Sequence, residues 1–373
     1  MKRILVIDAN APWVRSLLAA MGEGAEIRAL NVHSSGSGAK VGWRRLFRWE
    51  KGREGWVEKP LLVPGWTRFP GLSAAILRRA VSRVIRRFGP PDATVYTLPQ
   101  YAPVAQAFAR KSQQIYYAHD PFRFYDWDVA RTIELERQML AACDGAFAIS
   151  RQLTEELQAQ SIRPVIYSPN AVSQSFVERL RAQAEMPEDL RRLPRPIIGC
   201  VGQINRSYDW PLIGALADGL PKATFAFLGP VFPEPAEIRR PMEAVMARPN
   251  VKWLGPRPHG QLPGFLLGFD VCLNPLAMTD HNHRRSPLRL YDYLATDKPI
   301  LSTAVREALG HGDLVATFKS PQEGIELLNR MMAGDYRMDL PARRAYIRNN
   351  TWEARAAQFL RDVEALRQEP AAP

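Results

Sequence analysis

Residues 3–8 read Arg-Ile-Leu-Val-Ile-Asp, a short apolar run that ends in an aspartate. A continuous run of branched apolar residues without polar alternation is typical of a parallel strand that is buried on both faces. Helical periodicity follows over residues 14–21, and a second strand-like run covers residues 27–32. Strand, helix and strand in this order predict an α/β domain built on a parallel sheet.

The alternation of strands and helices continues, pauses once and then starts again. Further strand-like runs in the first half lie at residues 94–97, 114–118, 146–149 and 165–167. Polar and charged residues dominate residues 171–196, where prolines interrupt the pattern, so we predict a linker with a short helix. Beyond it, strand-like runs recur at residues 197–201, 224–228, 251–254, 270–274, 299–303 and 314–318. The sequence therefore predicts two doubly wound, Rossmann-like halves.

These halves set the expected domain boundaries. We predict a first domain over residues 1–172, a linker over 173–195, a second domain over 196–348 and a C-terminal segment over 349–373. In the last segment, a helix at about residues 352–367 has one apolar face, formed by Ala356, Phe359, Leu360, Val363 and Leu366. We expect this closing helix to pack back on the first domain.

The composition is that of an ordinary globular protein. Apolar residues make up 46% of the 373 residues and charged residues 24%, which excludes a disordered chain. No apolar stretch approaches the 18 or so residues of a spanning helix. The three cysteines, Cys143, Cys200 and Cys272, are too far apart for zinc-ligand spacing, and each lies in or beside an apolar run. We therefore expect a reducing, cytoplasmic location.

The net charge of +12 is concentrated in one stretch of the chain. Residues 40–90 hold 13 Lys and Arg against 3 Glu, and four of the nine tryptophans. Within it, residues 72–88 place five arginines opposite an apolar face, as a basic amphipathic helix does. A plain surface helix explains the apolar face, but not five arginines without an acid. The pattern predicts an anionic surface as partner, with these candidate membrane contacts: Trp43, Arg79, Arg83, Arg86 and Arg87.

A glycine-containing turn opens the second half. Residues 199–206 read Gly-Cys-Val-Gly-Gln-Ile-Asn-Arg and lie between a predicted strand and a predicted helix. Glycine lets a backbone approach a ligand closely, and a helix N-terminus favours phosphate. Gly202, Asn205 and Arg206 are therefore candidate ligand contacts, although a plain tight turn explains the same residues.

The segment 286–295, Ser-Pro-Leu-Arg-Leu-Tyr-Asp-Tyr-Leu-Ala, is the most informative of the chain. Ser286 is a candidate N-cap, and Pro287 suits the first helical position. Arg289 and Asp292 are then neighbours on one helix face. A cation there can meet a diphosphate and a carboxylate can accept ribose hydroxyls, whereas the alternative is a surface salt bridge.

This segment, followed by Asp-Lys-Pro-Ile-Leu-Ser-Thr over residues 297–303, resembles the "P-L-K-L-Y-E-Y-L-A-x-G-K-P-V-V-S-T" block of group-1 nucleotide-sugar glycosyltransferases of the GT-B fold. Residues 197–206, 224–231 and 250–274 resemble further blocks of that family, in the same order. Residues 350–353 resemble the start of the family's last helix. The subgroup that makes teichuronic acid and related bacterial polysaccharides is the most similar.

The resemblance implies a fold and a donor site. Two Rossmann-like domains would face a central cleft, with the donor on the second domain and the acceptor on the first. Asp292 matches the family glutamate that binds the nucleotide ribose, and Arg289 replaces the family lysine. Many members carry a second glutamate seven residues earlier, where this chain has Arg285. The implied donor contacts are Gly202, Asn205, Arg206, Arg285, Ser286, Pro287, Leu288, Arg289 and Asp292.

A candidate catalytic pair ends a strand of the first half. Residues 116–121 read Tyr-Tyr-Ala-His-Asp-Pro, and in the resembling family this strand end offers a His or an acid to the acceptor hydroxyl. Either His119 or Asp120 has the chemistry of a general base. The alternative is that Asp120 and Pro121 only form a turn.

We expect no metal and no other cofactor. Asp126-Trp127-Asp128 has the spacing of a DxD metal signature, but that signature belongs to the other glycosyltransferase fold, and Asp128 is also a candidate helix N-cap. His281 and His283 are two ligands only, which do not make a site. With Arg284 and Arg285 they are expected in a loop near the donor phosphates.

Three functions compete at this level. The first is transfer of a sugar from a nucleotide diphosphate sugar, with uridine as the expected base, to a lipid-linked or polysaccharide acceptor in bacterial cell-surface glycan biosynthesis. The enzyme would sit peripherally on the inner face of the cytoplasmic membrane. The second is a nucleotide-sugar epimerase on the same fold, which needs no basic surface. The third is a nucleic-acid-binding protein, for which no binding module is recognisable; we expect no nucleic acid as partner.

Overall fold

Two sheets organise the chain, one in each of two structural units. The structure is a computed structural model that describes residues 1–34, 48–52, 55–109, 111–125, 127–182 and 185–368. The first unit comprises Met1–Pro169 and the C-terminal segment from Trp352, and the second unit is Asn170–Thr351. The predicted α/β class with two Rossmann-like halves is confirmed.

The first unit contains an eight-stranded sheet. Its strands are β1 (Lys2–Ile7), β2 (Ala25–Ser34), β3 (Glu50–Lys51), β4 (Val57–Val63), β5 (Ala93–Tyr96), β6 (Gln113–Ala118), β7 (Gly145–Ala148) and β8 (Val165–Tyr167). They lie in the order β3-β4-β2-β1-β5-β6-β7-β8, and every pair is parallel except β3 with β4. Ile4, Leu5, Val6 and Ile7 of the central strand are at most 1% exposed, which is why that strand has no polar alternation.

Helices of the first unit connect these parallel strands. They are α1 (Pro12–Ala20), α2 (Pro70–Phe88), α3 (Ala102–Phe108), α4 (Val129–Ala142) and α5 (Arg151–Gln158). In α2 the apolar face is covered by the protein, as in an ordinary surface helix, since Leu77, Val81 and Val84 are buried. The side chains of α2 that stay exposed are mainly its arginines.

The second unit contains a six-stranded sheet in which all pairs are parallel. Its strands are β9 (Ile197–Val201), β10 (Thr224–Leu228), β11 (Val251–Trp253), β12 (Val271–Asn274), β13 (Ile300–Thr303) and β14 (Ala316–Phe318), in the order β11-β10-β9-β12-β13-β14. Its helices are α6 (Gln174–Arg181), α7 (Glu188–Arg191), α8 (Trp210–Gly219), α9 (Ala236–Met246), α10 (Leu262–Gly268), α11 (Asp280–His283), α12 (Leu288–Leu294), α13 (Arg306–Leu309), α14 (Pro321–Ala333) and α15 (Leu340–Arg348).

The segment 173–195, predicted as a linker, is instead part of the second unit. Phe176 of α6 and Leu190 of α7 are fully buried in its core. Gly268 of α10 makes this contact possible, because a Cβ there would lie 2.4 Å from Leu190 Cδ2. The prediction was wrong because the apolar residues of these short helices are few and are separated by charged ones.

The last helix, α16 (Trp352–Gln368), belongs to the first unit. Phe359 packs on Phe147 with ring centroids 4.4 Å apart, and Lys2 Nζ donates to the carbonyl of Leu360 at 2.9 Å. Ala356, Phe359 and Val363 are at most 2% exposed, so the predicted apolar face is the buried face. In the part of the chain that the structure describes, no helix is long and apolar enough to span a bilayer.

Candidate donor and acceptor sites

A tight turn follows the central strand of the second unit. Gly202, directly after β9, has φ of 128°, and its N–H donates to the carbonyl of Leu228 at 2.9 Å. A Cβ on Gly229, after the neighbouring strand β10, would lie 1.8 Å from the Gly202 carbonyl oxygen. Both positions require glycine, because one has positive φ and the other has backbone in the place of a side chain. The turn exposes backbone at the carboxyl end of the sheet, where α/β proteins bind ligands.

Arg289 of α12 lies against this turn. A Cβ on Gly202 would be 2.7 Å from Arg289 Nη2, so the glycine leaves the room that the guanidinium occupies. The guanidinium lies over the Tyr208 ring, 4.7 Å from its centroid, and its Nη1 is 3.6 Å from Cys200 Sγ. Among the described residues no carboxylate pairs with Arg289. A guanidinium stays charged in proteins, so the turn carries an uncompensated positive charge that suits an anion.

Asp292 lies on the same helix, three residues on, and is 7% exposed. Burial raises the pKa of its carboxyl, and the nearby imidazole of His259 works against that shift. His259 Nε2 is 3.7 Å from Asp292 Oδ2, and the carboxylate raises the pKa of His259 above its usual value. The His259 ring packs on Phe176 with centroids 4.9 Å apart.

Ser286 is not the N-cap that the sequence predicted. The helix begins after Pro287, which caps it without a side-chain hydrogen bond. The Ser286 hydroxyl instead accepts from the backbone N–H of Asn170 at 3.2 Å, and Asn170 Nδ2 donates to the Ser286 carbonyl at 2.6 Å. Ser286 therefore ties the start of α12 to Asn170.

The remaining predicted donor contacts shape the turn after β9. Arg206 Nε donates to Glu234 Oε2 at 2.9 Å, so its charge is already paired. Asn205 Oδ1 accepts from the N–H of Ser207 at 2.9 Å. Arg285 Nη1 donates to Ser207 Oγ at 3.2 Å, which brings Arg285 beside the same turn. The structure thus brings Gly202, Asn205, Arg206, Arg285 and Arg289 together. Glu234 pairs with Arg206, whereas no carboxylate among the described residues pairs with Arg289.

The loop around α11 is fastened to this turn as well. Asn282 Nδ2 donates to the carbonyls of Ser207 at 2.9 Å and Ala277 at 2.8 Å. His283 Nδ1 accepts from the N–H of Arg306 at 3.2 Å. The predicted loop of His281, His283, Arg284 and Arg285 therefore lies next to the Gly202 turn.

In the first unit, His119 and Asp120 follow β6 and are buried, with 7% and 3% exposed. Trp13 Nε1 donates to His119 Nδ1 at 2.9 Å, and the Tyr125 hydroxyl donates to Asp120 Oδ2 at 2.7 Å. Burial lowers the pKa of His119 to about 4, although Asp120 opposes the shift. The His119 ring meets Phe122 edge to face at 5.0 Å. His119 and Asp120 are therefore buried and fixed by hydrogen bonds beside an aromatic ring, and they do not form an exposed turn.

Three residues near these sites escaped the sequence analysis. Asp8, after β1, has φ of 73° and a buried carboxyl that accepts from the Tyr101 hydroxyl at 2.7 Å; burial raises its pKa to about 6. Trp13 follows in the next helix and bonds His119. His259 reaches Asp292 from a loop distant in sequence. Only Asp8 had a sequence signal, the acid at the end of an apolar strand.

The arginines of α2 form an exposed basic face. Arg78, Arg79, Arg83, Arg86 and Arg87 are all exposed, and none forms an ion pair with a described carboxylate. Phe69 and Leu72, at the start of the helix, are 46% and 54% exposed. Trp43 lies outside the described residues, and Trp56, another tryptophan of the basic stretch, is buried. We name the five arginines with Phe69 and Leu72 the arginine face.

No cluster of three or more His, Cys, Asp or Glu side chains arranged to hold a metal ion occurs among the described residues. Asp126 of the DxD segment lies outside them, and Asp128 caps α4 by accepting from the N–H of Arg131.

Comparisons with known proteins agree with this architecture. Residues 206–361 match the family described as "Glycosyl transferase-like". The Bacillus subtilis (strain 168) protein TuaH, whose name assigns it to teichuronic acid biosynthesis as a glycosyltransferase, is 27% identical over 107 residues. That segment is 29% of this chain and 26% of TuaH, so the chain spans about a quarter of that relative.

Solved structures share the fold over almost the whole chain. Sucrose-phosphate synthase from Thermosynechococcus elongatus has a TM-score of 0.72 and 15% identity, covering 98% of this chain and 99% of its own. A trehalose-6-phosphate protein from E. coli, bound with UDP-2-fluoro glucose, has a TM-score of 0.72, 14% identity and 99% coverage of both chains. Anabaena HepE in complex with UDP has a TM-score of 0.67 and 14% identity, covering 98% of this chain and 100% of its own. The fold is that of these GT-B proteins, and residues 206–361 within it match the glycosyltransferase-like family.

Proposed function

We propose that this protein transfers a sugar from a UDP-linked donor to a lipid-linked or polysaccharide acceptor in bacterial cell-surface glycan biosynthesis. The observation that carries the proposal is the pair Arg289 and Asp292 on one face of α12, at the carboxyl end of the second sheet. One is a charged group without a carboxylate partner among the described residues, and the other is a buried carboxylate.

The donor site follows from the chemistry of these groups. Arg289 and the backbone at Gly202 bind the diphosphate, since a guanidinium makes charge-assisted hydrogen bonds to phosphate oxygens. Asp292 accepts the ribose hydroxyls. The support for uridine is that two neighbours with this fold hold UDP or a UDP-sugar analogue.

The transfer step moves one sugar and one proton. An acceptor oxygen forms a bond to the anomeric carbon, and the bond from that carbon to the diphosphate oxygen breaks with its electron pair on the diphosphate. Arg289 stabilises the negative charge that develops there. The proton of the acceptor hydroxyl goes to a base of the first unit, for which His119 and Asp120 are the candidates.

The arginine face of α2 supports the proposal that the acceptor is lipid-linked. Five exposed arginines without carboxylate partners among the described residues attract an anionic bilayer, with about 1 kcal/mol for each basic residue near the surface. Exposed Phe69 and Leu72 add apolar contact. A peripheral position on the inner face of the cytoplasmic membrane would bring the first unit to a lipid-linked acceptor. The teichuronic acid assignment of TuaH supports a cell-surface glycan as product.

The experiment is a thermal-shift and calorimetry screen of nucleoside diphosphates and their sugars. A ligand of the folded state raises Tm by mass action, so UDP should stabilise the protein more than ADP or GDP. Arg289→Gln should abolish the difference between UDP and uridine, whereas Arg337→Gln, an exposed arginine of the same unit, should not. If no nucleoside diphosphate raises Tm, the proposed donor site at Arg289 and Asp292 is refuted. Epimerised donor without transfer would favour the epimerase.

We also propose that no metal takes part. Turnover should then be unchanged by EDTA. Activity that is lost on chelation and restored by magnesium would contradict this proposal and would make Asp126 and Asp128 the candidate metal ligands.

A further inference from the structure

Trp13 and His119 make a hydrogen bond whose direction is unambiguous. An indole nitrogen is only a donor, so at 2.9 Å the Trp13 N–H must point at a lone pair on His119 Nδ1. The neutral imidazole has one donor and one acceptor nitrogen. A lone pair on Nδ1 therefore puts the ring proton on Nε2.

The surroundings keep His119 in this neutral form. His119 is 7% exposed, and its ring centroid lies 5.0 Å from that of Phe122 and 6.4 Å from that of Tyr117. In the described part of the chain, Asp120 is the charged group that acts on His119, and this carboxylate only partly offsets the burial that lowers the pKa of His119 to about 4. At neutral pH the ring is uncharged, and the alternative tautomer would set an Nδ1–H against the indole N–H.

A histidine in this state is a donor and not a base. Its Nε2 carries a proton, and among the described residues no side chain makes a hydrogen bond to that nitrogen. Its Nδ1 lone pair is occupied by Trp13. Asp120, the next residue, is a carboxylate whose Oδ2 accepts from the Tyr125 hydroxyl.

We propose that Trp13 is a positioning residue that holds His119 as the Nε2–H tautomer, so that His119 donates a hydrogen bond to a substrate oxygen while Asp120 takes the proton of the acceptor hydroxyl. This assignment rests on the proposed function. In the transfer step the O–H bond of the acceptor breaks as its oxygen bonds the anomeric carbon, and the proton moves to an Asp120 carboxylate oxygen. His119 gains and loses no proton.

Two substitutions separate the roles of donor and base. His119→Gln keeps an N–H donor near the place of Nε2 but cannot accept a proton at neutral pH, so turnover should fall less than about 10-fold. Asp120→Asn keeps an acceptor for Tyr125 but removes the base, so turnover should fall about 10²–10⁴-fold at unchanged KM for the donor. Equal losses in both variants, or a larger loss in His119→Gln, would overturn the assignment.

Nitrogen NMR of the full-length protein tests Trp13 directly. The chain has six histidines, and the signals that are missing from the spectrum of His119→Gln are assigned to His119. The wild type should show a protonated Nε2 and a bare Nδ1 from pH 5 to 8, and Trp13→Phe should mix the two tautomers. Trp127→Phe is the matched control, because it makes the same change of indole to phenyl at a ring that stacks on Phe122 and leaves the hydrogen bond from Trp13 to His119 in place; it should leave the tautomer unchanged.

The activity of Trp13→Phe is the second readout. Losing one neutral hydrogen bond should lower turnover about 5–10-fold, with the KM of the donor unchanged. A protonated Nδ1 in the wild type, or a single Nε2–H tautomer in Trp13→Phe, would overturn the proposal. The NMR result needs no substrate, so it decides the tautomer even if no nucleotide sugar is turned over, which is the outcome that would refute the proposed function instead.

Discussion

Arg289 and Asp292 of α12 carry opposite charges, and the protein compensates neither charge fully. Among the described residues Arg289 has tyrosine and cysteine side chains beside it and no carboxylate partner, whereas the Asp292 carboxyl is buried and has the partly exposed His259 3.7 Å away. A structural protein gains little from such an arrangement, because an uncompensated buried charge costs free energy. Both groups gain if a nucleoside diphosphate supplies an anion to one and hydroxyl donors to the other.

Asp292→Ala should weaken UDP binding about 10–100-fold with the fold intact. The loss is that of hydrogen bonds from ribose hydroxyls to a charged acceptor, roughly 1.5–3 kcal/mol. Calorimetry with UDP measures it, and Asp335→Ala, an exposed carboxylate of the same unit, is the control. Unchanged affinity in Asp292→Ala would remove this residue from the donor site.

His259 makes the stability of the second unit depend on pH. Its pKa is raised in the folded state, so the stabilisation is complete below the ordinary value of 6.5 and is lost as pH rises through the folded pKa. The free energy of unfolding should therefore fall between pH 6 and pH 8, by roughly 0.5 kcal/mol because the imidazole is largely exposed.

Urea unfolding at several pH values measures this effect. His259→Gln should flatten the profile, since glutamine does not titrate. In the Asp292→Asn background, His259→Gln should not change the pH profile further, because the carboxylate that raises the pKa of His259 is gone. A profile that stays steep in His259→Gln would show that another group is responsible.

At the scale of elements, α2 combines a buried apolar side with the exposed arginine face. The apolar side packs inside the first unit, so the proposed bilayer would meet the charged side and the two apolar residues at the helix start. Binding of this kind is electrostatic, reversible and screened by salt.

Co-sedimentation with vesicles tests the arginine face. Wild-type protein should bind vesicles with anionic lipid, fail to bind neutral ones, and dissociate as salt is raised. Replacing Arg79, Arg83, Arg86 and Arg87 by Gln should remove most of the binding. A control with the same change in net charge replaces four exposed arginines elsewhere, Arg137, Arg192, Arg240 and Arg361. Equal loss in both variants would mean that net charge, and not this helix, drives binding.

At the scale of the whole molecule, the chain leaves the first unit, builds the second and returns. Helix α16 completes the core of the first unit, where Phe359 packs on Phe147 and lies edge to face with Tyr117 at 6.1 Å. The C-terminal helix is thus part of the fold that holds β6 and the pair after it.

Phe359→Ala should destabilise the first unit by about 3–5 kcal/mol, the usual cost of deleting a buried phenylalanine. Gln358→Ala, on the exposed side of the same helix, should change stability by less than about 0.5 kcal/mol. Hydrogen exchange resolves the two units: protection should fall in β6 and β7 and persist in β9 and β12. A loss confined to the second unit would contradict the assignment of α16.

Local pattern was enough for the elements that are buried along their whole length. The runs at residues 3–8 and 197–201 predicted β1 and β9 because a strand covered on both faces must be apolar throughout. The spacing of Arg289 and Asp292 likewise placed them on one helix face, since three residues are nearly one turn. Where apolar residues are sparse, as at 173–195, the pattern predicted a linker and was wrong.

Tertiary structure alone decided which charges are paired and which histidine can take a proton. Arg206 and Arg289 looked equivalent in sequence, but Glu234 pairs with Arg206 and no described carboxylate pairs with Arg289. His259 joins Asp292, and Trp13 joins His119, across 33 and 106 residues of chain. Periodicity and capping act within a few turns, whereas hydrogen bonds and ion pairs depend on distances of about 3–4 Å that only the folded chain sets.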